Sequence, residues 1–145
     1  MRALIDVNVL LALFDPDHVD HRTAQRFVRS GLQDGWATCP LTQNGFVRII
    51  SQPRYPSPVS TADALTRLAE AASHESHTFW PDDASLLDPD VLDRSSLLGP
   101  RQVTDAYLLA LAVRHGGRLV TFDRAIPLRA VVGAAPEHVQ VLIDR

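Results

Sequence analysis

Three aspartates in this 145-residue chain lie where apolar segments end or begin. Asp6 closes a first apolar run, Asp123 follows a later one, and Asp105 lies in the first turn of a strongly apolar helical pattern. Carboxylates gathered in one place repel one another unless cations compensate them. Hard oxygen ligands suit Mg²⁺ or Mn²⁺, and such ions polarise phosphodiesters and lower the pKa of bound water. The pattern therefore predicts a metal site for hydrolysis built from these aspartates.

Two polar residues beside these acids are weaker candidates for the same site. Asn8 can cap the helix that follows it and also line the site. Thr121 lies one strand period before Asp123, so both side chains should point the same way. Taken singly, each aspartate also has a plain structural interpretation, as a helix cap, a first-turn acid favoured by the helix dipole, or a turn residue. Taken together, the three aspartates follow a strand, begin a helix and follow another strand, and this order favours a shared site over three separate structural roles.

The elements that must position these residues alternate along the chain. The predicted strands are Arg2–Asp6, Trp36–Cys39, His77–Trp80, Arg118–Phe122 and His138–Ile143. The predicted helices are Val9–Phe14 with Asn8 as N-cap, His18–Ser30, Thr42–Ile50, 60–73 and Val103–His115. This alternation indicates an α/β sandwich around a mostly parallel sheet. In such sheets ligands bind at the carboxyl ends of the strands, near the point where strand order reverses.

Composition narrows the possible functions. All 14 basic residues are arginine, so a P-loop lysine, a Schiff base and a lysine general base are excluded. The net charge of −3 makes the chain a poor non-specific binder of nucleic acid. Cys39 is the one cysteine, which excludes an internal disulfide and favours a buried thiol in a reducing compartment. Without a recognisable secretory signal or an apolar run that would span a bilayer, we expect one cytoplasmic domain over residues 1–145.

Histidines offer a different metal site. His18 and His21 are spaced i, i+3, as are His74 and His77. Zinc needs three or four ligands, and neither pair is completed by a Cys/His cluster. Solvated or capping histidines are the favoured interpretation.

Four segments in order resemble the motifs of the PIN domain. They are Leu4–Leu11, Ala37–Arg48, Val103–Ala112 and Leu119–Arg124. The resemblance covers nearly the whole chain and is greatest to VapC-type toxins, which are common in mycobacteria. It implies a three-layer αβα sandwich with a five-stranded, mostly parallel sheet and Mg²⁺- or Mn²⁺-dependent cleavage of RNA. It also implies a homodimer and a small VapB-type antitoxin that occludes the site.

The resemblance carries the acids onto Asp6, Asp105 and Asp123, with one departure from the pattern. The second motif usually holds a glutamate, and the matching residue here is Gln43. An amide can coordinate a metal through its oxygen but brings no charge. This substitution bears on the occupancy of a second metal and on the catalytic rate.

Two alternative functions stay open at this point. Gln43 is compatible with an inactive PIN-like domain that binds RNA or acts as a scaffold. A phosphotransfer or receiver domain also places aspartates at strand ends, but such domains use a lysine near the phosphate, and this chain has none.

The helices of the first half also predict a surface for a partner. One domain of this size can bury only some of their apolar residues, so we expect a groove there that receives an antitoxin segment, as the resemblance implies. The residues concerned are Leu10, Leu11, Phe14, Phe27, Val28, Phe46, Val47 and Ile50.

Overall fold

A five-stranded sheet with every neighbouring pair parallel forms the centre of the computed structural model, which describes residues 1–143. The strands are β1 (Ala3–Ile5), β2 (Trp36–Thr38), β3 (His77–Phe79), β4 (Arg118–Thr121) and β5 (Val139–Val141), in the order β3-β2-β1-β4-β5. Strand order therefore reverses between β1 and β4. Their carboxyl ends are where the sequence places the first and last of the three aspartates.

Helices cover both faces of this sheet. They are α1 (Val7–Phe14), α2 (His21–Gly31), α3 (Pro40–Ile50), α4 (Thr61–Ala72) and α5 (Val103–Arg114). The first four pack with Ala3, Ile5 and Val120 on one face, whereas α5 packs with Leu4 and Leu119 on the other. This division follows the alternation of side chains along each strand. The three-layer αβα architecture expected from the sequence is confirmed.

The buried surface of α5 is broader than the stripe of Ala106, Leu109, Ala110 and Val113 that the helical spacing of its apolar residues predicts. Besides Ala106, Leu109 and Ala110, the helix buries Leu108, Leu111 and Ala112. It lies between the sheet on one side and the segment 84–97 with the residues around 126–134 on the other. A helix covered on several sides needs apolar residues all round.

Several predicted boundaries are wrong by a few residues. The first helix begins at Val7 with Asp6 as its N-cap, so Asn8 lies inside the first turn and is not the cap. The second begins at His21, leaving Val19 91% exposed. The third begins at Pro40, which is well suited to the first turn because its missing N–H needs no partner there. The fourth strand ends at Thr121, and the fifth is shortened to three residues by a 3₁₀ turn, Pro136–His138.

Glycines permit two features near the site. A Cβ on Gly45 would lie 2.8 Å from Val7 Cγ2, so glycine lets α3 approach the first turn of α1, next to Asp6. Gly116 has a φ of 67°, which ends α5 and turns the chain into β4. None of the described helices is both long and apolar enough to cross a membrane.

Candidate metal centre

Asp6 is held at the end of β1 by two donors. Its Oδ1 accepts a hydrogen bond from the Val7 backbone N–H (2.7 Å), and its Oδ2 accepts one from the Thr121 hydroxyl (2.7 Å). The first of these caps α1, and the second joins β1 to β4 across the point where strand order reverses. The residue is only 8% exposed. Helix capping and membership of the site, which the sequence left as alternatives, are thus combined in one side chain.

Asp123 is fixed by the loop that leaves β4. Its backbone N–H donates to the Thr121 hydroxyl oxygen (3.1 Å), and its Oδ1 accepts from the Ala125 N–H (2.8 Å). Strand alternation does not place it, since β4 has already ended at Thr121. The Thr121 hydroxyl therefore links Asp6 and Asp123 through hydrogen bonds. The sequence predicted only that the side chains of Thr121 and Asp123 point the same way.

Asp105 reaches these two carboxylates from the first turn of α5. Its carboxyl group lies within hydrogen-bonding reach of that of Asp123. Burial, this hydrogen bond and the negative charges of Asp6 and Asp123 raise the pKa of Asp105 from 3.8 to about 7. Burial also raises the pKa of Asp6, with a further contribution from Asp123, against the two hydrogen bonds that lower it. The structure therefore brings the three predicted aspartates together and leaves them in mutual repulsion.

No basic side chain within residues 1–143 neutralises this cluster. The described ion pairs join Asp83 to Arg114 and His115, and Asp34 to the amino terminus. Arg124, the nearest arginine in sequence, forms no ion pair with Asp123 in the described structure. A bound cation or a retained proton is what remains to offset the charge.

Asn8 offers a further side-chain oxygen two residues along the chain from Asp6. It lies in the first turn of α1, and its Oδ1 is buried without a hydrogen-bond partner among the described residues. A buried polar atom of this kind needs an explanation, such as a water or an ion. Carboxylate and amide oxygens are the donor set that Mg²⁺ and Mn²⁺ prefer, so the chemistry of the residues fits such an ion. Within residues 1–143 no three acidic, histidine or cysteine side chains are already arranged around one metal position.

Gln43 has a different environment from the aspartates. Its Nε2 donates to Thr38 Oγ1 (2.9 Å), which also lies 2.8 Å from His77 Nε2. It lines a groove between α3 and α4, on the sheet face opposite α5. No hydrogen bond in the described structure joins it to the three aspartates. Thr38 was not singled out from the sequence, and His77 was considered only as part of a histidine pair. The signal for Thr38 is a hydroxyl at the end of a buried strand, five residues before Gln43.

A PIN-domain family model matches residues 3–132. The chain belongs to the PIN-domain family. Ribonuclease VapC44 of Mycobacterium tuberculosis is 59% identical over 142 residues, which are 98% of this chain and all of that protein. Ribonuclease VapC39 of the same species is 50% identical over 135 residues, 92% of this chain and 96% of that one. The recognition of a VapC-type PIN domain from four sequence motifs is confirmed.

A solved structure agrees with this assignment at the level of the fold. The crystal structure of VapC20 of Mycobacterium tuberculosis, a toxin that cleaves the sarcin–ricin loop, matches with a TM-score of 0.62. The match covers 92% of this chain and 99% of that one at 16% sequence identity.

The Thr121 hydroxyl provides a first test of this site. Thr121→Val would leave one Asp6 carboxylate oxygen and the Asp123 N–H without their partner. Because both groups are at least partly buried, we expect the free energy of unfolding to fall by about 1–3 kcal/mol. Urea unfolding measures this, and Thr121→Ser, which keeps the hydroxyl, is the matched control. Equal stability of the two variants would mean that the hydroxyl does not hold the aspartates.

Proposed function

We propose that this protein is a Mg²⁺- or Mn²⁺-dependent endoribonuclease and the toxin of a type II VapBC toxin–antitoxin module. The observation that carries the proposal is the convergence of Asp6, Asp105 and Asp123 at the point where strand order reverses, with no basic side chain in residues 1–143 to neutralise them. Relatives that cover nearly the whole chain are VapC ribonucleases. An RNA substrate and a cytoplasmic location follow from the same proposal.

The metal would be held by Asp6, Asp105 and Asp123, with Asn8 Oδ1 beside them. When bound, a divalent ion supplies charge to polarise the phosphodiester and lowers the pKa of a water. The chain's own residues fix the ligands. The Val7 N–H and the Thr121 hydroxyl hold the Asp6 carboxylate in one orientation, and the Ala125 N–H holds that of Asp123. Asp105 must release its proton to bind the ion, so more Mg²⁺ should be needed for cleavage as the pH falls below about 7.

The direct test is cleavage of a mixed RNA population by the purified protein in Mg²⁺, in Mn²⁺ and in EDTA. Internal cleavage that requires the metal supports the proposal. An absence of metal-dependent cleavage in both ions, with RNA binding retained, would favour the alternative of an inactive PIN-like RNA-binding domain, for which Gln43 is the specific argument.

Gln43→Glu tests that alternative by restoring the negative charge that the second motif usually carries. Charge count tunes the affinity of such sites, so we expect the Mg²⁺ concentration for half-maximal cleavage to fall on the order of tenfold. The variant also loses the amide donor to Thr38, whose hydroxyl would then donate to the new carboxylate. Asn44→Asp adds the same charge one residue along α3 at an exposed position and is the control. Superimposable Mg²⁺ titrations of wild type and Gln43→Glu would place the residue outside the metal's influence.

The antitoxin would bind an apolar groove of about 750 Å³ between α1 and α2, bounded also by the end of α4. Its apolar lining comprises Leu10, Leu13, Phe14, Val28, Leu32 and Trp36, together with Ile5 and Ala71. The expectation from the sequence is corrected here, because Val47 lines the separate groove between α3 and α4, and Leu10, Leu11, Phe27, Phe46 and Ile50 are buried in the core. They are buried by the packing of α1, α2 and α3 on the sheet, which sequence alone does not give.

Val28, which is 39% exposed, lies in this groove and allows a test. Val28→Asp should weaken binding of a VapB-type antitoxin at least roughly tenfold, since a buried valine contributes about 1.5–3 kcal/mol. Co-purification with the product of the adjacent reading frame and calorimetry measure it. Val132→Asp, at a 48% exposed valine outside the groove, is the control. Equal affinity of both variants would assign the antitoxin to another surface.

We further propose that the protein is a homodimer, as VapC-type PIN domains are expected to be. Analytical ultracentrifugation of the isolated chain tests this, and a monomer at micromolar concentration would contradict it.

A further inference from the structure

Three exposed arginines, Arg101, Arg124 and Arg129, lie in the segment that leads into α5 and in the loop that follows β4. The first is in the 3₁₀ turn that runs directly into α5, four residues before Asp105. The second directly follows Asp123, and the third lies in the 3₁₀ turn that closes the same loop and packs against α5. These three residues are referred to below as the arginine rim.

The three arginines of the rim have no charged or hydrogen-bonding partner among residues 1–143. None of the three side chains forms an ion pair or a hydrogen bond within the described residues, whereas Arg2, Arg114 and Arg118 do. Between residues 97 and 105 and between 123 and 131, the acids are Asp105 and Asp123 themselves. The rim therefore places positive charge on the two segments that flank Asp105 and Asp123 in the chain.

A chain with a net charge of −3 needs such a feature if it is to approach a polyanion. Its overall charge and the three converging carboxylates both repel phosphate groups. Guanidinium groups bind phosphate oxygens through two parallel hydrogen bonds and stay charged at all accessible pH values. Arginines on the loops that frame the acids can attract the backbone of a nucleic acid without neutralising the carboxylates.

We propose that the arginine rim binds the phosphodiester backbone of RNA and brings the strand to the aspartates. This inference rests on the proposed ribonuclease function and names the residues that hold its substrate. Binding through phosphates carries no sequence information, so the rim sets affinity and position and leaves sequence preference to other contacts.

The test is the salt dependence of RNA binding, measured without cleavage. A fluorescently labelled single-stranded RNA of 20 nucleotides and mixed sequence is titrated with each protein in EDTA, at NaCl concentrations from 25 to 200 mM. For a single strand the slope of log K against log[salt] is about −0.7 per phosphate contact. The triple variant Arg101→Gln/Arg124→Gln/Arg129→Gln should therefore lose about two units of slope and bind roughly tenfold or more weakly at low salt.

A control of equal charge separates position from net charge. Arg22, Arg54 and Arg67 are exposed and unpaired among the described residues, and they lie with the helices on the opposite side of the sheet from α5. Arg22→Gln/Arg54→Gln/Arg67→Gln makes the same change in net charge and should keep the wild-type slope. Arg101→Lys/Arg124→Lys/Arg129→Lys should also keep most of it, because lysine still binds phosphate as a point charge.

Equal slopes for the rim variant and the control variant would overturn the proposal, and so would a wild-type protein that does not bind this RNA at 25 mM NaCl. Failure of the proposed function has a different signature. Suppose that the rim variant loses the salt dependence of wild-type RNA binding, but wild type cleaves no RNA in Mg²⁺ or Mn²⁺. The proposal for the arginine rim is then supported and the proposed ribonuclease function is contradicted. If wild type cleaves RNA and the rim variant matches the control variant in binding and cleavage, the ribonuclease function is supported and the proposal for the arginine rim is contradicted.

Discussion

Asp6→Asn is expected to lower metal-supported RNA cleavage by about a hundredfold or more, because a metal ion contributes several kcal/mol to transition-state stabilisation in such hydrolyses. The variant should fold normally. Asparagine is also a good N-cap, and its amide oxygen can accept from the Val7 N–H as the carboxylate does. Removing a buried charge whose pKa is raised by burial and by Asp123 relieves repulsion, so the free energy of unfolding should stay the same or rise.

Two measurements on the same preparation check this expectation. Cleavage of a labelled RNA is followed over a Mg²⁺ titration, and urea unfolding is followed in EDTA. Asp90→Asn, at an exposed aspartate whose side chain has no partner among the described residues, is the matched control and should cleave at the wild-type rate. A cleavage rate close to wild type in Asp6→Asn, or an unchanged metal affinity by calorimetry, would exclude Asp6 as a ligand.

A gain in stability in Asp6→Asn would show that the aspartate cluster disfavours folding, so that its presence needs a functional reason. A carboxylate buried against two others costs the isolated protein free energy of folding. Natural proteins accept such costs at sites where function requires them. A loss of activity together with a gain in stability in Asp6→Asn would show that the cost is kept for function.

The site could be predicted from the sequence largely because all strands of a parallel sheet run in the same direction. Apolar runs followed by Asp6 and Asp123 mark strand ends, and carboxyl ends of parallel strands meet at one edge. Asp105 was found through a different signal, an acid in the first turn of the most apolar helix. These inferences depend on local pattern and on topology, and both are encoded over short stretches of chain.

What the sequence could not give depends on side-chain directions in three dimensions. Asn8 looked like a cap because asparagine favours that position, yet Asp6 takes it since the helix starts one residue after β1. The amide of Gln43 is held by Thr38, a contact set by how α3 docks on β2. Likewise, Phe46 and Val28 are both apolar helix residues, and only the packing of the helices decides that one is core and the other lines a groove.

Metal and pH should change the stability of this protein in a linked way, through Asp105. Its pKa of about 7 in the folded state exceeds the ordinary value of 3.8 expected in the unfolded chain. Between these values the folded state keeps a proton that the unfolded state releases, so stability falls as the pH rises. The contribution of the proton is fully present below about pH 4 and is lost as the pH rises through about 7. In EDTA the protein should therefore melt at a higher temperature at pH 5 than at pH 8.

At pH 8 a divalent ion should restore the stability that the folded protein loses when Asp105 releases its proton. An ion that binds only the folded state stabilises it by about 2.7 kcal/mol at a hundredfold excess over its Kd, which for a chain of this length is a rise in Tm of roughly 5–10 °C. At pH 5 the proton competes for the same carboxylate, so the rise should be much smaller. Thermal melts at both pH values, in EDTA and in several millimolar Mn²⁺, measure the four conditions directly.

Asp105→Asn isolates this carboxyl group from every other titrating group in the chain. The variant should lose most of the Mn²⁺ effect at pH 8 and should differ from wild type more at pH 8 than at pH 5, where the wild-type carboxyl is already neutral. Asp90→Asn should reproduce all four wild-type melts. Coincident wild-type melts in EDTA and Mn²⁺ at pH 8 would contradict a site assembled by metal. They would mean that the folded protein holds the three aspartates together at this pH without a bound ion.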